Sequence, residues 1–211
     1  MAYETTSQPF DIYMTMKTTI INLYGGPSVG KSTSAAYLYY LLKAQGKNVE
    51  LVREYVKDWA WEGRKFSVYD EIYFLGKQVR HESMLFGKVD WIITDAPVYM
   101  TAYYASLYCS PKLAHGVAEA AQAFYKQAAD DGHQHIHLML KRTRPYNAEG
   151  RYQTEEEALQ VDTGIKEMLQ KLEVPVMDTG TEPKDLDRAL VLIEGIKVLK
   201  ERLTNKISDL G

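Results

Sequence analysis

The segment GGPSVGKST, residues 25–33, holds the pattern G-x-x-x-x-G-K-S from Gly25 to Ser32. Two glycines let the chain turn tightly enough for successive backbone N–H groups to converge, and converging amides bind the oxygens of a phosphate chain. An apolar strand runs into the glycines, and a helix opening at Lys31 adds the positive end of its dipole. This pattern predicts that Gly25, Gly26, Pro27, Ser28, Val29, Gly30, Lys31, Ser32 and Thr33 cradle ATP. Lys31 would bridge the β- and γ-phosphates, and the Ser32 hydroxyl would ligate Mg²⁺.

Three further segments carry groups suited to moving a phosphoryl group. VREYV places Arg53 and Glu54 at a strand end, where a carboxylate can hold or deprotonate an incoming hydroxyl. WIITDAP places Asp95 after a buried strand, the position of a carboxylate that orients Mg²⁺ or its water, so Ser32 and Asp95 are the expected metal ligands. KRTRPYNAEGRYQTEEEA, 141–158, sets Arg142, Arg144 and Arg151 around a Pro-Tyr…Gly loop. Such a loop can close over ATP, expel water and aim guanidinium groups at the transferring phosphoryl, which arginine's planar fork suits better than lysine. Each segment also has a bland reading: an exposed ion pair, a turn residue, a solvated connection.

Aromatic residues cluster near these segments. Tyr55, Trp59 and Trp61 follow Glu54, while Tyr99, Tyr103 and Tyr104 follow Asp95, and flat rings there could sandwich a base. Tyr99 and Tyr103 also share one helix face, the spacing that core packing produces. His133, His135 and His137 alternate along a strand without a cysteine or carboxylate at metal-ligand spacing, which reads as a strand-entry surface. Cys109 has no base partner nearby in sequence and reads as inert.

The elements that must position these residues alternate five times between strand and helix. The expected strands are 19–24, 48–54, 89–95, 135–141 and 174–178. Helices are expected from Lys31 to Ala44, from a Ser67–Asp70 cap to Gly87, from Ser110–Pro111 to Gly132, from a Thr154–Glu157 capping box to Leu172, and from Leu186 to Leu203. Short apolar strands alternating with helices predict an α/β fold, a five-stranded parallel sheet sandwiched by helices. Right-handed crossovers gather every strand's carboxyl end on one edge, where ligands bind. Gly25–Thr33, Arg53–Glu54 and Asp95–Pro97 then converge although the sequence scatters them.

Bulk properties set outer bounds. The 211 residues, 45% hydrophobic and 25% charged, fit one ordinary globular domain. Residues 1–16 read as a loose tail, and 17–211 as a single P-loop kinase domain with a lid at about 142–153. A net charge of −3 gives no global field toward nucleic acid, leaving only local basic groups. The single cysteine fits a reducing cytoplasm. No apolar run reaches the roughly 18 residues of a membrane span.

On these motifs the chain resembles the nucleoside and nucleotide kinase branch of P-loop proteins, near thymidylate kinases and ribosylnicotinamide-kinase-like ATPases. Arg53-Glu54 is similar to the pair thymidylate kinases carry after strand two, with Tyr55 where they have proline. Thr94-Asp95-Ala96-Pro97 resembles their Asp motif, and Pro145-Tyr146 with Gly150-Arg151 resembles the nicotinamide-riboside lid. The resemblance implies the nucleotide-kinase type of sheet with a small lid, ATP and Mg²⁺ as cofactors, and a nucleoside, nucleotide or DNA acceptor. One similar branch, the phage 5-hydroxymethyluridine DNA kinases, phosphorylates a base hydroxyl within DNA. The implied catalytic set is Lys31, Glu54, Asp95, Arg142, Arg144 and Arg151. The implied acceptor set is Arg53, Glu54, Tyr55, Trp59, Gln78, Arg80 and Tyr99, with Gln78 as reader of a base edge. A DNA acceptor would draw on Lys57, Arg64, Lys65, Lys77 and Arg80 around that site. The alternative is a P-loop ATPase or switch acting on a protein partner, and a homodimer is compatible with either reading.

Overall fold

The computed structural model of the chain describes residues 17–65, 67–143, 146 and 154–208. The expected tail, most of the lid, and with them Arg144 and Arg151, lie outside the described residues. In chain order the elements are β1 (Thr19–Tyr24), α1 (Lys31–Ala44), β2 (Val49–Val52), α2 (Val56–Trp61), α3 (Asp70–Ser83), β3 (Trp91–Thr94), α4 (Val98–Tyr108), α5 (Pro111–Asp130), β4 (Gln134–Leu140), α6 (Glu155–Lys171), β5 (Val176–Thr179) and α7 (Pro183–Ser208).

All five strands are parallel, in the order β2-β3-β1-β4-β5. The expected sheet is therefore present, with β1 at its centre. One face packs Ile21, Leu23, Ile93 and Leu138 against Leu38 and Leu42 of α1 and Leu186, Leu190 and Ile193 of α7. The other packs Tyr24 and Met139 against Val98, Ala102, Tyr125, Ile165 and Leu169 of α4, α5 and α6. Burying strands on both faces explains their continuous rather than alternating apolar character. Among the described residues, no helix is long and apolar enough to cross a membrane.

Several helix ends follow directly from local chemistry. The Thr154 hydroxyl accepts the Glu157 N–H while the Glu157 carboxylate accepts the Thr154 N–H, a reciprocal capping box. Gly46 closes α1 at φ 76°, with Lys47 N–H bonded to the Leu42 carbonyl and Gly46 N–H to that of Lys43. That left-handed turn is open to glycine at little cost. α6 ends in the same turn with Glu173 at φ 54°, so a side chain there bears the strain that glycine avoids.

Boundaries differ from the sequence reading where side chains redirect the chain. The helix expected from Ser67 starts at Asp70, because the Asp70 carboxylate accepts both the backbone and the hydroxyl of Ser67 and closes a separate turn. It ends at Ser83, four residues before Gly87. β2 and β3 stop at Val52 and Thr94, so Arg53, Glu54 and Asp95 stand just past the strands. The last helix begins at Pro183 rather than Leu186, since proline fits a first turn, and it runs to Ser208. α2 has no counterpart in the sequence reading, and α4 appears there only as the shared helix face of Tyr99 and Tyr103. α4 buries Val98, Tyr99, Met100, Ala102, Tyr103 and Ala105, which surround the helix and leave no amphipathic stripe to recognise.

Candidate functional site

β1 ends at Tyr24 and the chain turns at once through Gly25, at φ 144°, and Gly30, at φ 102°. Gly30 is the N-cap residue of α1, and the first turn of that helix holds no acidic side chain to compete with an anion. Lys31 folds back along the loop, its ammonium donating to the carbonyls of Gly25 at 2.6 Å and Gly26 at 3.0 Å. Ser32 and Thr33 are exposed at the mouth. The whole Gly25–Thr33 segment thus sits between an apolar strand and a helix, as its motif requires.

A second layer packs directly on the loop. The Gly26 N–H donates to Asp162 Oδ1, and a Cβ at Gly26 would lie 2.7 Å from the Ala158 carbonyl and 2.9 Å from that carboxylate oxygen. Arg142, two residues past β4, donates from Nε to Asp162 Oδ2 at 2.6 Å and from Nη2 to the Ala158 carbonyl at 3.2 Å. α6 therefore clamps the loop and the first lid arginine together. Sequence reasoning did not single out Asp162. Its only signal was an acid beside Val161, at the edge of the buried stripe Ala158, Val161, Ile165, Leu169. Thr143 is held in turn by hydroxyl contacts to Thr181 and, at 3.4 Å, the Glu182 carboxylate.

The two strand ends that carry the expected acids meet. β2 and β3 pair with Val52 opposite Thr94, so the next residues, Arg53 and Asp95, emerge side by side. The buried Asp95 accepts the Glu54 N–H at 3.0 Å. Thr94 accepts the Ala96 N–H at 3.3 Å and the Gln78 side-chain amide at 3.2 Å, and the same amide donates to Glu82. Gln78 is buried, and its bonds hold the turn that carries Asp95. Arg80, two residues on, is exposed.

Tyr55 and Trp59 belong to an aromatic face on α2 and α3. The Tyr55 and Tyr73 hydroxyls bond at 2.8 Å, Trp59 stands edge-on to Phe74, Lys77 lies over the Tyr55 and Tyr73 rings, and Arg64 lies over Trp59. Tyr99 is not part of that face. It is buried and stacked on Tyr125 with ring centres 4.2 Å apart, the core-packing alternative for its helical spacing. Glu54 and Glu71 both act on Tyr104, whose hydroxyl burial first and those carboxylates second hold well above its usual range. Burial, with Asp70 adding to it, pushes the Glu71 carboxyl up to about 7.

The residues present fit a Mg²⁺ ion. Ser32 and Asp95 offer hard oxygen donors, and no described group of three or more His, Cys, Asp or Glu forms a closed metal cage. That pattern suits an ion held largely by phosphates and water rather than by protein.

A parallel 2-3-1-4-5 sheet with a glycine loop at the carboxyl end of its central strand defines a P-loop NTPase of the nucleotide-kinase fold. A family model described as an AAA domain matches residues 20–184, and the chain belongs to that family. No curated protein sequence matches it. Among solved structures, the NadR protein in complex with NAD and AMP-PNP superposes with a TM-score of 0.57 at 16% identity, covering 77% of this chain and 44% of that one. The NadR protein in complex with NR gives 0.54 at 18% identity over 77% and 43%. Thymidylate kinase from Ehrlichia chaffeensis gives 0.51 at 16% identity over 87% and 99%. The chain thus spans less than half the length of the NadR protein, and these likenesses show a shared fold.

Proposed function

We propose that the chain is an ATP-dependent kinase that transfers the γ-phosphoryl group to a hydroxyl or phosphate of a nucleoside- or nucleotide-type acceptor. The observation that carries this reading is the tie between Asp95 and Glu54 on neighbouring strand ends, on the same sheet edge as the phosphate loop. An NTPase switch has less use for a second carboxylate at that place.

In this mechanism the loop amides and Lys31 grip the triphosphate, and Arg142 sits where charge develops on the transferring group. Arg144 and Arg151, beyond the described residues, belong to the same reading. The acceptor oxygen attacks the γ-phosphorus, its bond to the bridging oxygen breaks, and ADP leaves. Glu54 orients the acceptor hydroxyl and takes its proton. Ser32 and Asp95 would hold Mg²⁺, which when bound neutralises charge on the β- and γ-oxygens. Most of the rate then comes from position and field rather than from covalent chemistry.

The acceptor we favour is a base hydroxyl within DNA, such as a 5-hydroxymethyluracil. Its support is the face formed by Tyr55, Trp59 and Tyr73, with Lys77 over the Tyr55 and Tyr73 rings and Arg64 over that of Trp59. Rings with cations over them suit stacked bases on a phosphate backbone. The second reading, an ATPase acting on a protein partner or a second copy, draws on exposed Val191, Leu192 and Leu199 of α7.

The deciding experiment offers ATP labelled in its terminal phosphate to nucleosides, nucleoside monophosphates and DNA carrying hydroxymethylated bases. Transfer to one of them, absent in Lys31→Ala, is the expected result. A steep fall with salt marks the DNA acceptor, because each phosphate contact releases counterions. ATP hydrolysis stimulated by a protein, with no acceptor labelled, would replace the kinase reading.

A further inference from the structure

α3 buries five side chains along one stripe: Glu71, Phe74, Leu75, Gln78 and Glu82. The helix returns from the carboxyl edge of the sheet toward its amino edge. Gln78 lies beside Thr94 at the tip of β3, and past the helix the Gly87 N–H reaches the Thr18 hydroxyl just before β1. At seven residues from Gln78, Glu71 therefore stands about 10 Å beyond the tip of β3. That is the side on which Glu54 and Asp95 leave their strands.

Glu71 is only 5% exposed, and among the described residues it makes no hydrogen bond or ion pair. Its oxygens are nonetheless open to solvent, unlike Oε2 of Glu82 on the same stripe, which is sealed without a partner. A carboxyl this deep normally has a donor or a cation beside it. The groups around Glu71 are the Asp70 carboxylate on its own helix, the Tyr104 hydroxyl of α4 and the Cys109 thiol just past α4. Glu54, past β2, acts on the same Tyr104. None of these groups is a cation.

Burial, with Asp70 adding to it, accordingly favours the neutral acid, whose pKa near 7 leaves much of it protonated at neutral pH. A neutral carboxyl sets one O–H donor beside one carbonyl acceptor. The complement of that pair is a ring edge on which an acceptor and a donor also stand side by side.

We infer that Glu71 reads the base of the acceptor, donating from one oxygen to a ring carbonyl and accepting with the other from the adjacent ring N–H. The inference rests on the kinase reading above and deepens it. A 5-hydroxymethyluracil presents O4 and N3–H in this way, next to the carbon that carries its hydroxymethyl group. Gln78 has its amide committed to Thr94 and Glu82, which leaves the reading of the base to the first turn of the same helix. A buried polar group that the right base satisfies and a wrong one leaves unpaired gives strong selectivity.

The test follows transfer from labelled ATP to a single-stranded DNA carrying one 5-hydroxymethyluracil, and to the same strand methylated at N3 of that base. The methyl group removes the N–H and should raise the wild-type KM about tenfold. Glu71→Met should raise KM for the unmethylated strand by a similar factor, keep kcat and melting temperature near wild type, and abolish the difference between the strands. Glu71→Gln keeps a donor beside an acceptor and should restore KM. It should also flatten a profile in which the wild-type KM rises about tenfold between pH 6 and 8, as the acid form is lost. Wild-type KM or wild-type discrimination in Glu71→Met overturns the inference and leaves the kinase reading intact, as does a wild-type pH profile in Glu71→Gln. No transfer to the unmethylated strand overturns the inference together with the DNA acceptor, and transfer to no nucleoside or nucleotide either overturns the kinase reading as well.

Discussion

Asp162 and Arg142 form a half-buried ion pair at 2.6 Å, and the other oxygen of the same carboxylate accepts the Gly26 N–H of the phosphate loop. One side chain on α6 thus connects the loop that would hold ATP with the arginine that begins the lid. A charge-assisted pair shielded from water is stronger than an exposed one, and losing one partner leaves the other unsatisfied.

Asp162→Asn should therefore cost roughly 1–3 kcal/mol of stability and weaken nucleotide binding, although shape is preserved. Arg142→Lys should lose the two-point contact with Asp162 and Ala158 and reproduce much of the defect. Thermal unfolding of both variants with and without ATP checks this. Wild-type unfolding and binding in Asp162→Asn would remove the carboxylate from the loop's support.

Gly26 should tolerate no side chain. An added methyl would meet the Ala158 carbonyl at 2.7 Å, and backbone cannot swing aside as a flexible side-chain tip can. Gly26→Ala should push α6 off the loop and weaken ATP binding by about tenfold or more, a cost of roughly 1.4 kcal/mol or above. Gly76→Ala, where a Cβ meets nothing, is the matched control and should bind normally. Titration with a fluorescent ATP analogue separates the two.

Gln78 distinguishes two roles. A base reader would, on replacement, change which acceptor is preferred. A strut between Thr94 and Glu82 would lower turnover with every acceptor alike. The buried bonds favour the strut, so Gln78→Met should cost about 1–2 kcal/mol and reduce turnover without altering acceptor ranking. Relative kcat/KM across the acceptor panel is the readout, and a changed ranking would restore the reader.

Stability should vary with pH in two opposing ways. Burial raises the Glu82 carboxyl to about 8 and that of Glu71 to about 7, from an ordinary 4.5, so the folded state holds protons that the unfolded state has released. Folding stability then declines as pH rises from 4.5 through those values, by up to about 1.4 kcal/mol per pH unit for each group. Burial lowers His137 from 6.5 to about 4, so its contribution has the opposite sign and is lost as pH falls through that interval. Urea unfolding across this range should show the decline on the alkaline side, and Glu82→Gln should remove much of it. An alkaline limb equal to wild type in that variant would mean that Glu82 ionises freely in the folded state.

The parallel sheet, the phosphate loop and the placing of Glu54 and Asp95 at strand ends were legible from residue order alone. Each depends on local rules: glycine where the chain must turn left-handed, apolar runs where strands are buried on both faces, and caps where helices begin. Neighbours in sequence are enough to state such rules. Arg142 could likewise be singled out as a charge in the right loop. That its partner is Asp162, that Gln78 braces a turn, and that Tyr99 stacks on Tyr125 instead of facing a base could not be read this way. Those outcomes belong to side chains separated by many residues, brought together when α4, α5 and α6 pack on the sheet. A single string of letters carries the propensity of each element but not the distance between two of them.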